Sequence, residues 1–438
     1  MVFNFKKLDK KEIKIFITLM LFFMLFYAFR IASGNFEIID CKDYLYTANL
    51  FSEGLYFHKA ITENESFLLT KRPFLYPFFL FLVSLFNIKT ILFIQTLFGI
   101  FNAYLLIQLQ KKINGSVSYL LILFTVLTPS IFIYTQLIMS DWLVMTLIML
   151  LSFLLLDDWN KKRFFYIQII TILLAFTRPV FYVLIYFNFI YFACVLYKKK
   201  IFSFSLLIPM LCLFLYLGLN NYRTGFNHFS SMENFNLIEF NLFFFKSKTQ
   251  SIAVANKWKD SVNIESEKIK VFKAKSTFYS NVAKKEISEH FLSYSFYHFY
   301  TSIRGVFDPG RYDLMTFFKE ENDTAGFLEA LNTDKPLSSI FNPKYILIYF
   351  FLGFILLFQL IKLFSVSVYV LSKRNDINYL NFYLFLTILI YILLHGPVNC
   401  SRYMMPFQGL FIVIAIKYLQ KGFAAVNCLK NQNQLNSL

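Results

Sequence analysis

The feature that most constrains this chain is the recurrence of long apolar stretches along nearly all of its 438 residues. Each stretch has roughly 17 to 20 residues, which is long enough for a helix to cross a hydrocarbon core of about 30 Å. Apolar residues make up 57% of the chain and charged residues only 16%, whereas soluble domains carry about 25% charged residues. The sequence therefore predicts an all-α polytopic membrane protein.

The chain carries a formal net charge of +17. Nucleic-acid binding is one interpretation of such an excess, but the basic residues stand in short clusters between the apolar stretches. Clusters of this kind set membrane topology and contact anionic lipid headgroups. We therefore expect membrane lipids, and no nucleic acid, as partners. The abundance of Phe, Ile, Lys and Asn is typical of an AT-rich bacterial gene. Together with the apolar stretches, this source predicts a multi-pass protein of the bacterial inner membrane.

The basic clusters also predict the topology. Five lysines precede the first apolar stretch, so the N-terminus is expected in the cytoplasm and residues 32–89 outside. Residues 74–86 are short for a span and contain Pro77, so they either cross or lie at the interface. If they crossed, three basic clusters would fall outside, and we therefore predict that this segment only dips into the membrane.

This topology gives about ten spans, with both termini in the cytoplasm. The predicted spans are 13–30, 90–110, 117–136, 141–156, 164–177, 179–197, 201–219, 345–364, 377–394 and 403–419. Three regions follow: a transmembrane module at 1–219 that includes the first outer loop at 32–89, an extracytoplasmic region at 220–343, and C-terminal spans with a cytoplasmic tail at 344–438. Residues 290–307 are rich in aromatic side chains, which predicts an interfacial helix on the outer surface.

Ionisable residues collect near the span ends on the predicted outer side, whereas the span interiors hold almost none. These residues are Asp40, Asp43, Arg72, Asp141, Arg178, His395 and Arg402. Proton-coupled transporters usually carry buried carboxylates or histidines near mid-membrane, so this distribution disfavours that class. Motifs for nucleotide binding or soluble hydrolase chemistry are absent from the sequence.

The first outer loop carries a carboxylate pair. Asp40 and Asp43 are three residues apart, so on a helix they share one face beside Tyr44. Such a pair can bind a divalent cation (Mg²⁺ or Mn²⁺) or take a proton from a hydroxyl, and it also suits the N-terminus of an interfacial helix. Asp141 opens a span as a helix-capping residue would, and with Asp40 it is the candidate metal pair.

Three arginines are the candidate phosphate ligands. Pro73 disfavours a helical conformation at Arg72, which places that guanidinium at a fixed turn. Arg178 also precedes a proline, and Arg402 begins the last span beside Tyr403 and close to His395. Phosphate is a natural bidentate partner for a guanidinium, although a lipid headgroup anchor is the alternative for each arginine. A disulfide between Cys41 and Cys400 is left open.

The order of these motifs resembles the GT-C integral membrane glycosyltransferases, in particular the bacterial dolichyl-phosphate-mannose-protein mannosyltransferase-like and aminoarabinose-transferase-like group. The matching residues are Asp40, Tyr44, Gly54, Arg72-Pro73, Tyr76-Pro77, Pro129, Ser140-Asp141, Arg178-Pro179 and Arg402-Tyr403 with Pro406. Family members often have Glu where this chain has Asp141, and a second proline where it has Phe74.

The resemblance implies a GT-C fold and transfer of a sugar from a polyprenyl-phosphate donor to a glycan, lipid or protein acceptor outside the cytoplasm. It implies that Asp40 and Asp141 lie at the reaction centre, and we add Asp43 as a further carboxylate. Arg72, Arg178 and Arg402 are expected to neutralise the donor phosphate. The alternative is a polysaccharide polymerase or a lipid-linked-sugar translocase; the latter has no need of first-loop carboxylates.

Overall fold

The computed structural model describes residues 7–34, 39–83, 87–157, 160–310, 313–314, 317–318, 346–372 and 379–435. Every regular element within these ranges is a helix, and none of them contains a strand. The predicted all-α class is therefore confirmed for the described part of the chain.

The described residues before residue 225 form eleven helices. They are α1 (Lys10–Ser33), α2 (Ile39–Ser52), α3 (Glu63–Leu69), α4 (Leu75–Val83), α5 (Ile88–Asn114), α6 (Leu120–Val126), α7 (Ser130–Ile133), α8 (Asp141–Leu155), α9 (Lys161–Thr177), α10 (Tyr182–Lys198) and α11 (Ile208–Thr224). Short 3₁₀ turns lie at Tyr134–Gln136, Pro179–Phe181 and Phe204–Leu207.

The later part of the described chain has eight further helices. They are α12 (Met232–Asn236), α13 (Phe243–Thr249), α14 (Ile252–Glu267), α15 (Phe272–Glu289), α16 (Phe291–Gly305), α17 (Ile346–Ser372), α18 (Tyr379–His395) and α19 (Ser401–Leu435). A π-helical turn lies at Leu237–Leu242 and a 3₁₀ turn at Gly396–Val398. Helices α13 to α16 enclose a small apolar core of their own around Ile238, Leu242 and Phe245.

Five described helical segments are long and apolar enough to cross a membrane. They are Lys10–Ser33, Ile88–Asn114, Pro179–Lys198, Phe204–Thr224 and Ile346–Leu371, and the shorter apolar helices include Asp141–Leu155 and Phe382–Val398. These lengths fit a multi-pass helical membrane protein. The count of ten spans stays a prediction.

The span predicted at 117–136 is wrong as a single helix. Helix α6 ends at Val126 and α7 begins at Ser130, with Pro129 between them. The physical reason is local, because a proline lacks an N–H group and disfavours a helical conformation at the residue before it. The broken segment continues through Tyr134–Gln136, and its side chains from Thr128 onward are buried against the neighbouring helices.

The described part of the predicted dipping segment is α4, a helix of nine residues. Such a helix rises about 14 Å, less than half the thickness of a bilayer core. Tyr76 and Leu80 on α4 are fully buried, and the Tyr76 hydroxyl donates to Gln95 on α5 at 2.6 Å. These described residues pack against the bundle, and the expectation that the segment does not cross the membrane stays a prediction.

The basic clusters collect at one end of the bundle. Lys111 pairs with Glu12 in the first turn of α1, with Nζ 2.8 Å from the carboxylate. Lys112 and Arg163 both pair with Asp157, at the far end of α8 from Asp141. These basic residues therefore lie at the end of the bundle away from Asp141, and the side of the membrane on which each end lies stays a prediction.

Cysteine labelling tests on which side each end lies. We expect a cysteine introduced as Asn227→Cys, whose site is exposed, to react with a membrane-impermeant maleimide added outside cells. Asn114→Cys at the end of α5 is expected to react only after permeabilisation, because positive clusters stay cytoplasmic. Labelling of Asn114→Cys from outside would mean that residues 74–86 cross.

Candidate active site

Seven charged side chains form one partly buried cluster in which positive and negative groups alternate. We call this cluster the arginine–carboxylate network, and its members in spatial order are Lys71, Asp43, Arg72, Asp40, Arg402, Asp141 and Arg178. It contains all six predicted catalytic and phosphate-binding residues together with Lys71. The structure thus brings together residues that lie up to 362 positions apart in the chain.

Asp40 lies between two guanidinium groups. Arg72 Nη2 is 2.8 Å from Asp40 Oδ1 and 2.8 Å from Asp43 Oδ2, so both carboxylates of α2 face the same arginine. Arg402 Nη1 donates to Asp40 Oδ2 at 2.6 Å. The predicted sharing of one helix face by Asp40 and Asp43 is therefore confirmed.

Asp141 is the most deeply buried carboxylate of the network, with no exposed surface. Its Oδ1 accepts from Arg178 Nη1 at 3.1 Å, and its Oδ2 lies 3.5 Å from Arg402 Nε. Arg178 also donates to the Tyr391 hydroxyl of α18 at 2.8 Å. Arg402 therefore links the first-loop carboxylate Asp40 to the bundle carboxylate Asp141.

Backbone hydrogen bonds fix the segment that carries Arg72. Thr70 and Lys71 are held by the chain that follows α11: the Ser231 N–H donates to the Thr70 carbonyl, and the Ser230 hydroxyl donates to the Lys71 carbonyl at 3.0 Å. His228 Nε2 lies 2.8 Å from the Thr70 hydroxyl. With Pro73 on the other side, the arginine has little freedom to leave the network.

The three remaining predicted site residues, Tyr44, Tyr403 and His395, are aromatic neighbours of the arginines. The Arg72 guanidinium stands 4.9 Å from the Tyr44 ring centroid, and the Tyr44 hydroxyl is 3.0 Å from the Ser140 hydroxyl. The Tyr403 ring lies 4.9 Å from Arg178 and 5.6 Å from Arg402. The His395 ring packs against Tyr403, with centroids 4.1 Å apart.

The network has one more positive than negative member, since four cations face three carboxylates. Burial acts to raise the pKa of Asp40, but the charges of Arg402 and Arg72 outweigh it and hold that pKa well below its usual range. Asp40 is thus ionised at any physiological pH. Arg72 Nε and Arg402 Nε are buried and have no hydrogen-bond partner among the described residues. The network therefore keeps an unpaired donor on Arg72 and a net positive charge, whereas Arg402 Nε faces Asp141 Oδ2 at 3.5 Å.

A divalent-cation site at Asp40 and Asp141, which the sequence leaves open as one alternative, does not fit these residues. A cation shared by Asp40 and Asp141 needs oxygens from both that converge on one point, but the Arg402 guanidinium already stands between them. Within the described ranges, the side chains that do converge are Glu286, Glu289 and His290 at the C-terminal end of α15, and Glu286 there is already bonded to Lys246 and Trp258. Arg402 takes the place that a metal ion would need.

A second carboxylate cluster adjoins the network and was missed by sequence reasoning. Asp313 is buried, and its two oxygens accept from the Tyr134 hydroxyl at 2.5 Å and from the Ser401 hydroxyl at 2.7 Å. Asp308 Oδ2 accepts from the Ser401 N–H at 2.9 Å. Burial raises the pKa of Asp313 to about 7, although the hydrogen bond from Tyr134 opposes this shift.

Lys362 corrects the prediction that span interiors hold almost no ionisable group. Its ammonium group, on α17, is 1% exposed and donates to Thr128 at 2.9 Å and to Gln408 at 2.6 Å. Gln408 in turn donates to Gln359 at 3.2 Å. The sequence did not single out Lys362, because this residue lies near the end of the predicted span 345–364. In the structure α17 continues to Ser372, so Lys362 lies inside the helix.

The disulfide left open between the first and last outer loops is not formed, because Cys400 is a free cysteine.

The other residues that contact the site had only weak signals in the sequence. Lys71 directly precedes Arg72, Tyr391 lies four residues before His395, and Asp313 follows Asp308-Pro309 closely in the sequence.

No family model matches the chain, and neither a curated protein nor a solved structure matches it.

Proposed function

We propose that this protein is a membrane glycosyltransferase of the GT-C type. It transfers a sugar from a polyprenyl-phosphate donor to a glycan, lipid or protein acceptor at the extracytoplasmic surface of a bacterial inner membrane. The observation that carries the proposal is the arginine–carboxylate network, which gathers Arg72, Arg178 and Arg402 at one end of a helical bundle.

The network suits a phosphate that becomes more negative during the reaction. When the bond from the sugar carbon to the phosphate oxygen breaks, the oxygen keeps the electron pair, and nearby cations lower the barrier by stabilising it. Arg72 Nε supplies a donor that has no hydrogen-bond partner among the described residues, and the net positive charge of the network favours an anion over a neutral ligand. The carboxylates hold the guanidinium groups in place before the donor binds, so little reorganisation is needed.

Asp40 is the proposed acceptor of the proton that the incoming hydroxyl loses. Its depressed pKa makes it a weak base. A weak base suffices if the proton moves late, because the attacking oxygen becomes strongly acidic once it has bonded to the sugar carbon. Asp40 is the most exposed carboxylate of the network, with 27% of its side-chain surface accessible, so an acceptor can reach it.

We expect Arg402→Ala to weaken donor-phosphate binding more than it slows the chemical step. A hydrogen bond to a charged group contributes about 1.5–3 kcal/mol, so affinity for undecaprenyl phosphate should fall roughly 10- to 150-fold. Binding is measured by native mass spectrometry of the protein in nanodiscs. Arg163→Ala, which breaks an ion pair with Asp157 at the other end of the bundle, is the matched control and should bind normally.

One observation favours the translocase alternative. Lys362, Gln359 and Gln408 form a polar path inside the bundle beside the Asp308 and Asp313 cluster, and such groups line routes through transporters. The decisive assay supplies purified protein with polyprenyl-phosphate sugars and an acceptor membrane. Sugar release supports the transferase, whereas lipid flipping without sugar release would replace it with the translocase.

A further inference from the structure

Helix α16 has a continuous apolar face that no described part of the chain covers. Leu292, Phe296, Phe299 and Ile303 follow one another at helical spacing, and the exposed fractions of Leu292 and Phe296 are 81% and 75%. Side chains of this size are rarely left in water as one stripe, and such a stripe marks a contact surface.

The position of α16 identifies what covers this face. His298 on its other side donates from Nε2 to the Leu393 carbonyl at 2.8 Å, in the last two turns of the apolar helix α18. Because α18 is apolar up to this point, α16 lies at the level where the bundle leaves the hydrocarbon core. An amphipathic helix at that level binds the boundary between headgroups and acyl chains.

The opposite face of α16 packs closely against the turn at Gly396–Val398 and Asn399, which precedes Arg402 of the network. Asn399 Nδ2 donates to the Ser302 carbonyl. Gly305 lies so close to this turn that an added Cβ would stand 2.5 Å from the Asn399 backbone. Gly396, with φ +52°, packs against the His298 ring so closely that an added Cβ would overlap it. Both glycines are required by close approach, and Gly396 also by its backbone conformation.

We propose that α16 is a membrane-surface brace: its exposed apolar face binds the lipid surface, and its opposite face holds the turn that carries Ser401 and Arg402. In this brace, α16 contacts lipid on one face, and on the other face it is bonded to Asn399, which lies directly before the start of α19. There Ser401 bonds to Asp308 and Asp313, and Arg402 bonds to Asp40. This role of α16 holds for any substrate that the network binds.

Tryptophan quenching tests the lipid contact. Phe296→Trp is reconstituted in phosphatidylcholine–phosphatidylglycerol nanodiscs with and without brominated acyl chains. The control is Val271→Trp, at a 63% exposed position between α14 and α15. We expect brominated lipid to quench the tryptophan at position 296 and to leave the one at 271 unchanged. Equal quenching at both positions overturns the lipid contact. An unquenched tryptophan at position 296 overturns it too, and a dimer in the same sample would then assign this face to a second copy.

Thiol reactivity tests the interlock without any substrate. In a variant whose only cysteine is Cys400, Gly305→Ala is expected to raise the rate of maleimide labelling roughly tenfold, the factor that about 1.4 kcal/mol of lost local stability produces. Gly353→Ala is the control, because a Cβ there meets nothing within 4 Å. An unchanged rate in Gly305→Ala overturns the brace. Circular dichroism of both variants separates a loosened turn from global unfolding.

Discussion

Asp40→Asn is expected to lower sugar transfer by about 10²- to 10⁴-fold, the range that removal of a general acid or base usually costs. The change keeps the size of the side chain but removes the charge that lies between Arg72 and Arg402. One of these arginines then faces an amide N–H₂ group in place of a carboxylate oxygen. The variant therefore loses the proton acceptor, and it also loses the charge that orients the two phosphate-binding arginines.

Folding and membrane insertion should survive this change, because Asp40 is partly exposed and an amide oxygen still accepts one hydrogen bond. The matched control is Asp157→Asn, since Asp157 also lies between two cations, Lys112 and Arg163, but at the opposite end of the bundle. The assay measures sugar release from a polyprenyl-phosphate donor by purified variants. Wild-type-like turnover by Asp40→Asn would remove Asp40 from the mechanism.

The six charged residues singled out from the sequence do lie in one cluster, because charges are rare enough in this chain to stand out, and their roles stay predictions. Arg72, Arg178 and Arg402 each occupy the end of an apolar stretch, and the membrane forces such ends to a common level. Nearby charges at one level pair with each other, so Asp40 and Asp141 are found beside arginines.

The sequence alone could not predict which charged residues of the site pair with each other. The metal hypothesis assumed that Asp40 and Asp141 face the same space, but the rotation of α19 places Arg402 between them. The broken helix near Pro129 is a similar case: hydropathy alone predicts one span at 117–136, whereas the break brings Thr128 to Lys362 and Tyr134 to Asp313. Such contacts depend on packing between helices, which single-sequence patterns do not encode.

Removing the partner of Asp141 should cost more stability than any other single change in the network. Arg178→Met leaves a fully buried carboxylate whose other cation, Arg402, approaches only to 3.5 Å. Loss of one member of a buried ion pair typically costs about 3–5 kcal/mol, because the remaining charge stays desolvated. We expect the free energy of unfolding in detergent to fall by about this amount.

The double variant Asp141→Asn/Arg178→Met separates stability from function. Replacing both charges removes the desolvated carboxylate, and buried ion pairs exchanged for neutral side chains are often close to neutral in stability. We therefore expect the double variant to recover most of the lost unfolding free energy but no sugar transfer, since both the donor ligand and the bundle carboxylate are gone. A double variant as unstable as Arg178→Met would mean that Arg178 stabilises the fold through its hydrogen bond to Tyr391 and its contact with the Tyr403 ring, and not through the charge of Asp141.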